Sequence, residues 1–195
     1  MSDSRAVGEK PDLSLSAAAR TEYEALGLDD RNKGGKTVEG LAPVEGRPLV
    51  EKRPIEARDV LNEAYDYEKP ATFTRGMRVE LPGATMLYIS GTASVDENGA
   101  TVHEGDFTAQ TLRTLRNLTR LLAAEKASWH DVIRTTCYLR DIERDYETFN
   151  AVRAMFMESA GLDPLPASTA IQARICRSDL LVEIEAIAMI PRSLP

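Results

Sequence analysis

Cysteine is nearly absent from this chain: Cys137 and Cys176 are the only two in 195 residues, and they have no CxxC spacing. That argues against a disulfide framework and points to a reducing, cytoplasmic setting. Histidine is equally scarce. His103 and His130 lie far apart in sequence, so a metal site built from histidines is not expected. No apolar run approaches the roughly 18 residues that mark a membrane span. Met1 to Lys10 is polar and lacks the apolar stretch of a secretory leader. Basic residues are outnumbered: 24 Lys and Arg stand against 31 Asp and Glu, for a net charge of -7. Such a chain lacks a basic face to neutralise phosphates, so nucleic acid is not the expected partner.

What remains is enough for one good core and a short appendage. Residues 1–69 are charged, with few aliphatic runs, and read as an N-terminal extension, partly helical or flexible. Within it, Leu15, Ala18, Ala19, Tyr23 and Leu26 recur at helical spacing, and Ser14 or Ser16 can cap that helix. Residues 1–12 read as a tail, and Asn32–Gly35 and Gly46–Pro48 read as loops.

Residues 70–192 read as one domain. Thr72–Leu81 and Met86–Val95 form a hairpin about Pro82-Gly83, ending at the turn Asp96–Gly99. Asp106–Lys126 is a helix with Asp106 as cap, an apolar face of Leu112, Leu115, Leu118, Leu121 and Leu122, and arginines opposite. Val132–Leu139 is a β-branched strand. Arg144–Ala160 is a second helix stopped by Gly161, and Ser168–Ile175 and Leu180–Ile190 are the last strands. The order ββαβαββ is α+β. Two helices cover only one face of a small sheet, so the other face calls for a partner.

Ser90-Gly91-Thr92, Gln110 and Asn117, Thr135 to Asp141 (TTCYLRD), Phe149-Asn150, Pro166-Ala167-Ser168 and Val182 to Ala188 (VEIEAIA) occur in one order. Together they resemble the Rid (reactive intermediate deaminase, YjgF-like) family over residues 70–192. The resemblance implies a chorismate-mutase-like homotrimer whose sheets form an inner barrel, with clefts between subunits. It also implies hydrolysis of enamines and imines, such as 2-aminoacrylate, to a keto acid and ammonia without a cofactor. The deaminating branch reads Pro-Ala-Arg-Ser in its loop, where the arginine grips a carboxylate bidentately. This chain reads Pro166-Ala167-Ser168-Thr169. Ser168 supplies a hydrogen bond but no charge. The family's first-strand tyrosine is replaced by Phe73.

Glu183 matches the family glutamate that positions or activates water, and burial would raise its pKa into the range of an acid or base. Taken alone, it reads as a solvent-facing strand glutamate. Glu185 shares its face, as a second carboxylate or an ion-pair partner. Cys176, seven residues before Glu183, resembles a pair in the chorismatases. Arg174 and Arg177 beside it can lower a thiol pKa, while a buried structural thiol is the plainer alternative. Arg75 or Arg174 can hold a carboxylate in place of the lost arginine. The resemblance implies that Phe73, Ser90, Gly91, Asn150 and Ser168 line the cleft, Gly91 allowing close backbone approach. Cys137 reads as core. The expected function is a cofactor-free hydrolase or deaminase-like enzyme for a small anionic enamine or imine. The alternatives are a chorismate-processing enzyme and a non-catalytic ligand-binding trimer. No metal, nucleic acid or membrane partner is expected.

Overall fold

The computed structural model describes residues 14–26, 28, 44–46, 49–67 and 70–192. The tail at 1–12 and the loop at Asn32–Gly35 lie outside the described residues, as do Arg47 and Pro48. Contacts divide the chain into Met1–Leu49 and Val50–Pro195. In the first unit, α1 spans Ala17–Ala25 and buries none of its residues; the Ser16 side chain caps it by accepting from the Ala19 amide at 3.2 Å.

The second unit is a six-stranded sheet with two helices. Its elements are β1 (Lys52–Pro54), β2 (Gly76–Leu81), β3 (Ala84–Ala93), α2 (Phe107–Ala124), β4 (Val132–Leu139), α3 (Ile142–Ser159), β5 (Ala167–Gln172) and β6 (Val182–Pro191). The strand order is β1-β2-β3-β6-β4-β5. Neighbours run antiparallel except β4 and β5, which are parallel. Alternation along β6 sends Val182, Ile184, Ala186 and Ala188 into the core, with Leu87 and Ile89 of β3 and Cys137 and Leu139 of β4. Leu115, Leu118, Leu121 and Leu122 of α2 and Phe149, Val152 and Met157 of α3 close over that face. Leu112, placed on the apolar face by its spacing, is exposed. None of the second unit's described helices packs on the opposite sheet face, where Tyr88, Ile171 and Met189 are exposed. No described helix is long and apolar enough to cross a membrane.

The packed unit starts upstream of residue 70. Ile55 and Leu61 are fully buried, with Ala57 and Val60 beside them, and β1 pairs with β2. Four apolar residues spread among charges give no periodic signal, so sequence alone assigns this segment to the extension. A buried carboxylate fastens β1. Glu125, just after α2, accepts from Arg53 at 2.9 and 2.8 Å and from Arg78 of β2 at 3.1 Å.

Two boundaries in the second unit differ from the sequence reading by more than two residues. Strand β2 begins at Gly76 rather than Thr72, because Arg75 is held outside the ladder by its donations to Glu63 Oε2 and the Asn62 carbonyl, each 3.1 Å. β5 ends at Gln172, and the chain then loops to β6. Gln110, fully buried on α2, pins that loop: its Nε2 donates to the Asp179 carbonyl at 2.9 Å and its Oε1 accepts from the Leu181 amide at 2.8 Å. Arg140 donates to the Leu180, Ile175 and Arg177 carbonyls.

If residues 50–67 belong to the core, Leu61→Ala leaves a cavity like any central leucine. The expected loss is about 2–5 kcal/mol in chemical denaturation, matching Leu118→Ala. A loss near zero for Leu61→Ala alone would contradict the assignment.

Candidate functional site

The β3–β6 register slips between Ile89 and Thr92, so Ser90 and Gly91 form an irregularity in β3. Ser90 is tied down there: its Oγ donates to the Thr74 carbonyl at 2.8 Å and its amide to the Arg75 carbonyl at 3.1 Å. Glu183 of β6 lies against Gly91. A Cβ on Gly91 would sit 1.9 Å from Glu183 Oε1 and 2.8 Å from its Cδ. Glycine at 91 is therefore what lets the carboxylate rest on the backbone of β3.

Glu183 is half-buried, on the sheet face away from the helices. Burial pushes its pKa up, the Glu185 charge adds to this, and the Arg75 charge opposes it. Tyr138 of β4 pairs with Glu183 across the ladder. Burial raises the Tyr138 pKa too, reinforced by the charges of Glu185 and Glu183.

Arg75 is buried. Its guanidinium donates to the Asn62 carbonyl and the Tyr67 hydroxyl and lies 4.9 Å from the Tyr67 ring centre and 5.4 Å from that of Phe73. Beside it, Glu63 is fully buried, with Oε1 unpartnered and a pKa raised chiefly by burial. Glu183, Gly91, Ser90, Arg75 and Phe73 thus come together. Tyr67 and Glu63, which support them, escape the sequence reading because they lie in the segment taken as an extension.

A second group forms elsewhere. Ser168 of β5 pairs with Thr135 of β4 and accepts from the Thr135 hydroxyl at 3.0 Å. Arg153 of α3 donates through Nη1 to Ser168 Oγ at 2.9 Å and through Nη2 to Asn150 Oδ1 at 2.7 Å. Its guanidinium lies 5.1 Å from the Phe149 ring centre. Cys137 Sγ is 3.8 Å from Ser168 Oγ; burial raises its pKa, and hydrogen bonds with Ser168 and Thr135 and the Arg153 charge oppose the rise. Arg153 is absent from the sequence reading, although its place one helical turn after Asn150 was a usable signal.

The two groups do not meet within one chain. β4 separates β6 from β5. Alternation puts Glu183 on the open face and Ser168 with Thr135 and Cys137 on the helix side. Arg174 is exposed and makes no hydrogen bond or ion pair among the described residues. Cys176 is a free, exposed thiol rather than a buried one, and no hydrogen bond joins it to Glu183. Arg177 is a clamp: it donates to the Gly99 carbonyl and Thr101 hydroxyl and pairs with Asp179 at 3.0 Å. Among the described residues, no three His, Cys, Asp or Glu side chains converge as metal ligands.

Comparison with known proteins identifies the family and the fold. The family model described as Endoribonuclease L-PSP matches residues 68–190. A RutC family protein of Pyrococcus horikoshii is 32% identical over 108 residues, which is 55% of this chain and 82% of the relative. The 3-aminoacrylate deaminase RutC of Acinetobacter baylyi is 33% identical over 103 residues, 53% of this chain and 78% of that protein. Two E. coli structures, the YjgF gene product and TdcF with bound serine, each superpose with a TM-score of 0.57 at 25% identity. Each covers 72% of this chain and 99% of its own.

The raised pKa of Glu183 has a stability consequence. A carboxyl that is harder to ionise folded than unfolded costs nothing while protonated in both states. The penalty appears above the unfolded-state pKa and grows as pH rises through the folded one. Glu183→Gln is therefore expected to raise Tm at pH 8 by roughly 1–4 °C and to leave it unchanged at pH 4. Equal shifts at both pH values would contradict burial as the cause.

Proposed function

We propose, because this chain belongs to the Endoribonuclease L-PSP (YjgF/Rid) family, that it is a deaminase-like hydrolase releasing ammonia from small anionic enamines or imines. Deaminase-like function and the chorismate-mutase-like α+β fold hold at the level of the family. The substrate and the location of the cleft are the proposal. The RutC relative is a 3-aminoacrylate deaminase, and the TdcF structure carries serine. Both suggest a small molecule with a carboxylate.

The observation that carries the reading is the Glu183 carboxyl, half-buried against Gly91 with its pKa raised. A protonated carboxyl can give its proton to the enamine carbon, yielding the iminium. As carboxylate it then takes a proton from the water that adds to the iminium carbon, which leaves a carbinolamine. That proton passes to the nitrogen, the C–N bond breaks, and ammonia leaves as the carbonyl forms and the carbinol hydroxyl returns its proton to the carboxylate. Each step is a proton transfer, an addition or an elimination, and none needs an oxidant or reductant. Arg75 acts through Glu183 here, its charge opposing the rise in the Glu183 pKa.

The cleft lies between copies in this reading. The uncovered sheet face, with Tyr88, Ile171 and Met189 exposed, supports a homotrimer in which neighbouring sheets cover one another. Such packing also brings the Ser168 group of one copy to the Glu183 group of the next. A chorismate-processing enzyme needs Cys176 beside Glu183. The exposed, unconnected Cys176 favours the deaminase reading instead.

The test generates 2-aminoacrylate or 3-aminoacrylate in situ and follows ammonia and the carbonyl product. Wild type is expected to accelerate release from at least one of the two, and Glu183→Gln to lose about 10²- to 10⁴-fold of that rate. Release no faster than the uncatalysed reaction with both compounds, or a fully active Glu183→Gln, would overturn the assignment.

A further inference from the structure

Half of the described arginines around the sheet and helices have anionic partners. Arg53 and Arg78 pair with Glu125, Arg144 with Asp145, Arg177 with Asp179 and Arg192 with Glu80. Arg75 is enclosed by Asn62, Tyr67 and Phe73. Arg113 and Arg140, both half-buried, give their guanidinium donors to backbone carbonyls, whereas Arg153 turns to the side chains around Ser168. It is half-buried, and its partners are the Asn150 amide oxygen, the Ser168 hydroxyl and the Phe149 ring, all neutral. It forms no ion pair with a carboxylate among the described residues.

A partly buried cation among neutral groups is costly unless an anion completes it. A guanidinium carries five N–H donors, and the two contacts with Asn150 and Ser168 leave the rest of the fork unfilled. Those contacts and the ring also fix the plane of the fork, so less rotational freedom remains to be lost on binding. Ser168 accepts from both Thr135 and Arg153, which leaves its own hydroxyl hydrogen for the Cys137 sulfur or a ligand oxygen. A planar, preset fork with an adjacent hydroxyl suits a carboxylate better than a single point acceptor does.

We propose that Arg153, oriented by Asn150, Ser168 and Phe149, holds the carboxylate of this protein's substrate. The positive charge that Ser168 does not supply from β5 is delivered to the same spot from α3. Of the candidates from sequence, Arg75 is enclosed, and Arg174 has no hydrogen bond or ion pair among the described residues to orient it. The proposal rests on the deaminase reading only for the identity of the ligand. The binding of a carboxylate at Arg153 can be measured without turnover.

The probe is 2-oxobutanoate, with 2-oxobutanamide as its uncharged counterpart, titrated into the full chain by calorimetry. Wild type is expected to bind the acid at least about tenfold more tightly than the amide. Arg153→Gln should lose that preference while binding the amide as before, and Arg153→Lys should recover only part of it. The double variant Arg153→Gln/Ser168→Arg, which returns a guanidinium from the strand side, should restore it. Glu183→Gln should keep the preference while losing turnover. The proposal fails if wild type binds the acid no better than the amide, or binds neither. It fails too if Arg153→Gln keeps the preference, or if that variant weakens both ligands alike. If no variant releases ammonia but carboxylate binding still depends on Arg153, the deaminase reading falls and this one stands.

Discussion

Strand β6 is hydrogen-bonded along both edges, to β3 and to β4, and its two-residue alternation has to satisfy two environments at once. One set of side chains, Val182, Ile184, Ala186 and Ala188, lies under the helices and is almost wholly buried. The other set begins with Glu183 and Glu185 on the uncovered face. A slip of one residue would put both carboxylates into the core. The register that builds the fold is therefore also the register that presents the acid. The irregularity at Ser90-Gly91 sets the last detail, because a side chain at 91 would collide with Glu183.

Charge is arranged in separate parts with different consequences. At the β1 edge, Glu125 gathers Arg53 and Arg78, and Glu80 gathers Arg78 and Arg192. These groups satisfy one another and bind the first strand to the rest. Around Glu183 the balance is poor for ionisation: burial strips water, Glu185 is on the same face, and the Arg75 charge opposes them only in part. Around Arg153 the imbalance has the opposite sign, a cation among neutral acceptors. An anionic substrate with a nitrogen to be released has one requirement for each of these unbalanced places.

The β-branched run Val132–Leu139, the alternation of Val182–Ile190 and the leucine stripe of α2 were legible because each repeats its period for two or more turns or pleats. Glu183, Gly91 and Ser90 were legible through the ordered resemblance. Ile55, Leu61, Glu63 and Tyr67 were not. They lie singly in a charged segment, and only tertiary packing shows that they complete the core and enclose Arg75. Thr72 to Arg75 alternates like a strand, yet capture of Arg75 by Glu63 and Asn62 ends the ladder at Gly76. Ser168 was recognised as a missing charge. The spacing of Arg153 from Asn150 was a local signal, but that its charge reaches Ser168 is visible only in the tertiary structure.

The central claim is that Glu183 and Arg153 act on one substrate from different copies of the chain, since one copy places them on opposite sides of its sheet. Mixing tests it directly. Glu183→Gln and Arg153→Gln are each purified, shown to be inactive, then unfolded together, refolded and assayed for ammonia release. Random assembly leaves about one site in four with both residues intact if they come from neighbouring copies. Recovery of about a quarter of the wild-type rate is the expected result. A mixture as inactive as its parents, with mixed oligomers verified by mass, would mean that each site is built within a single chain.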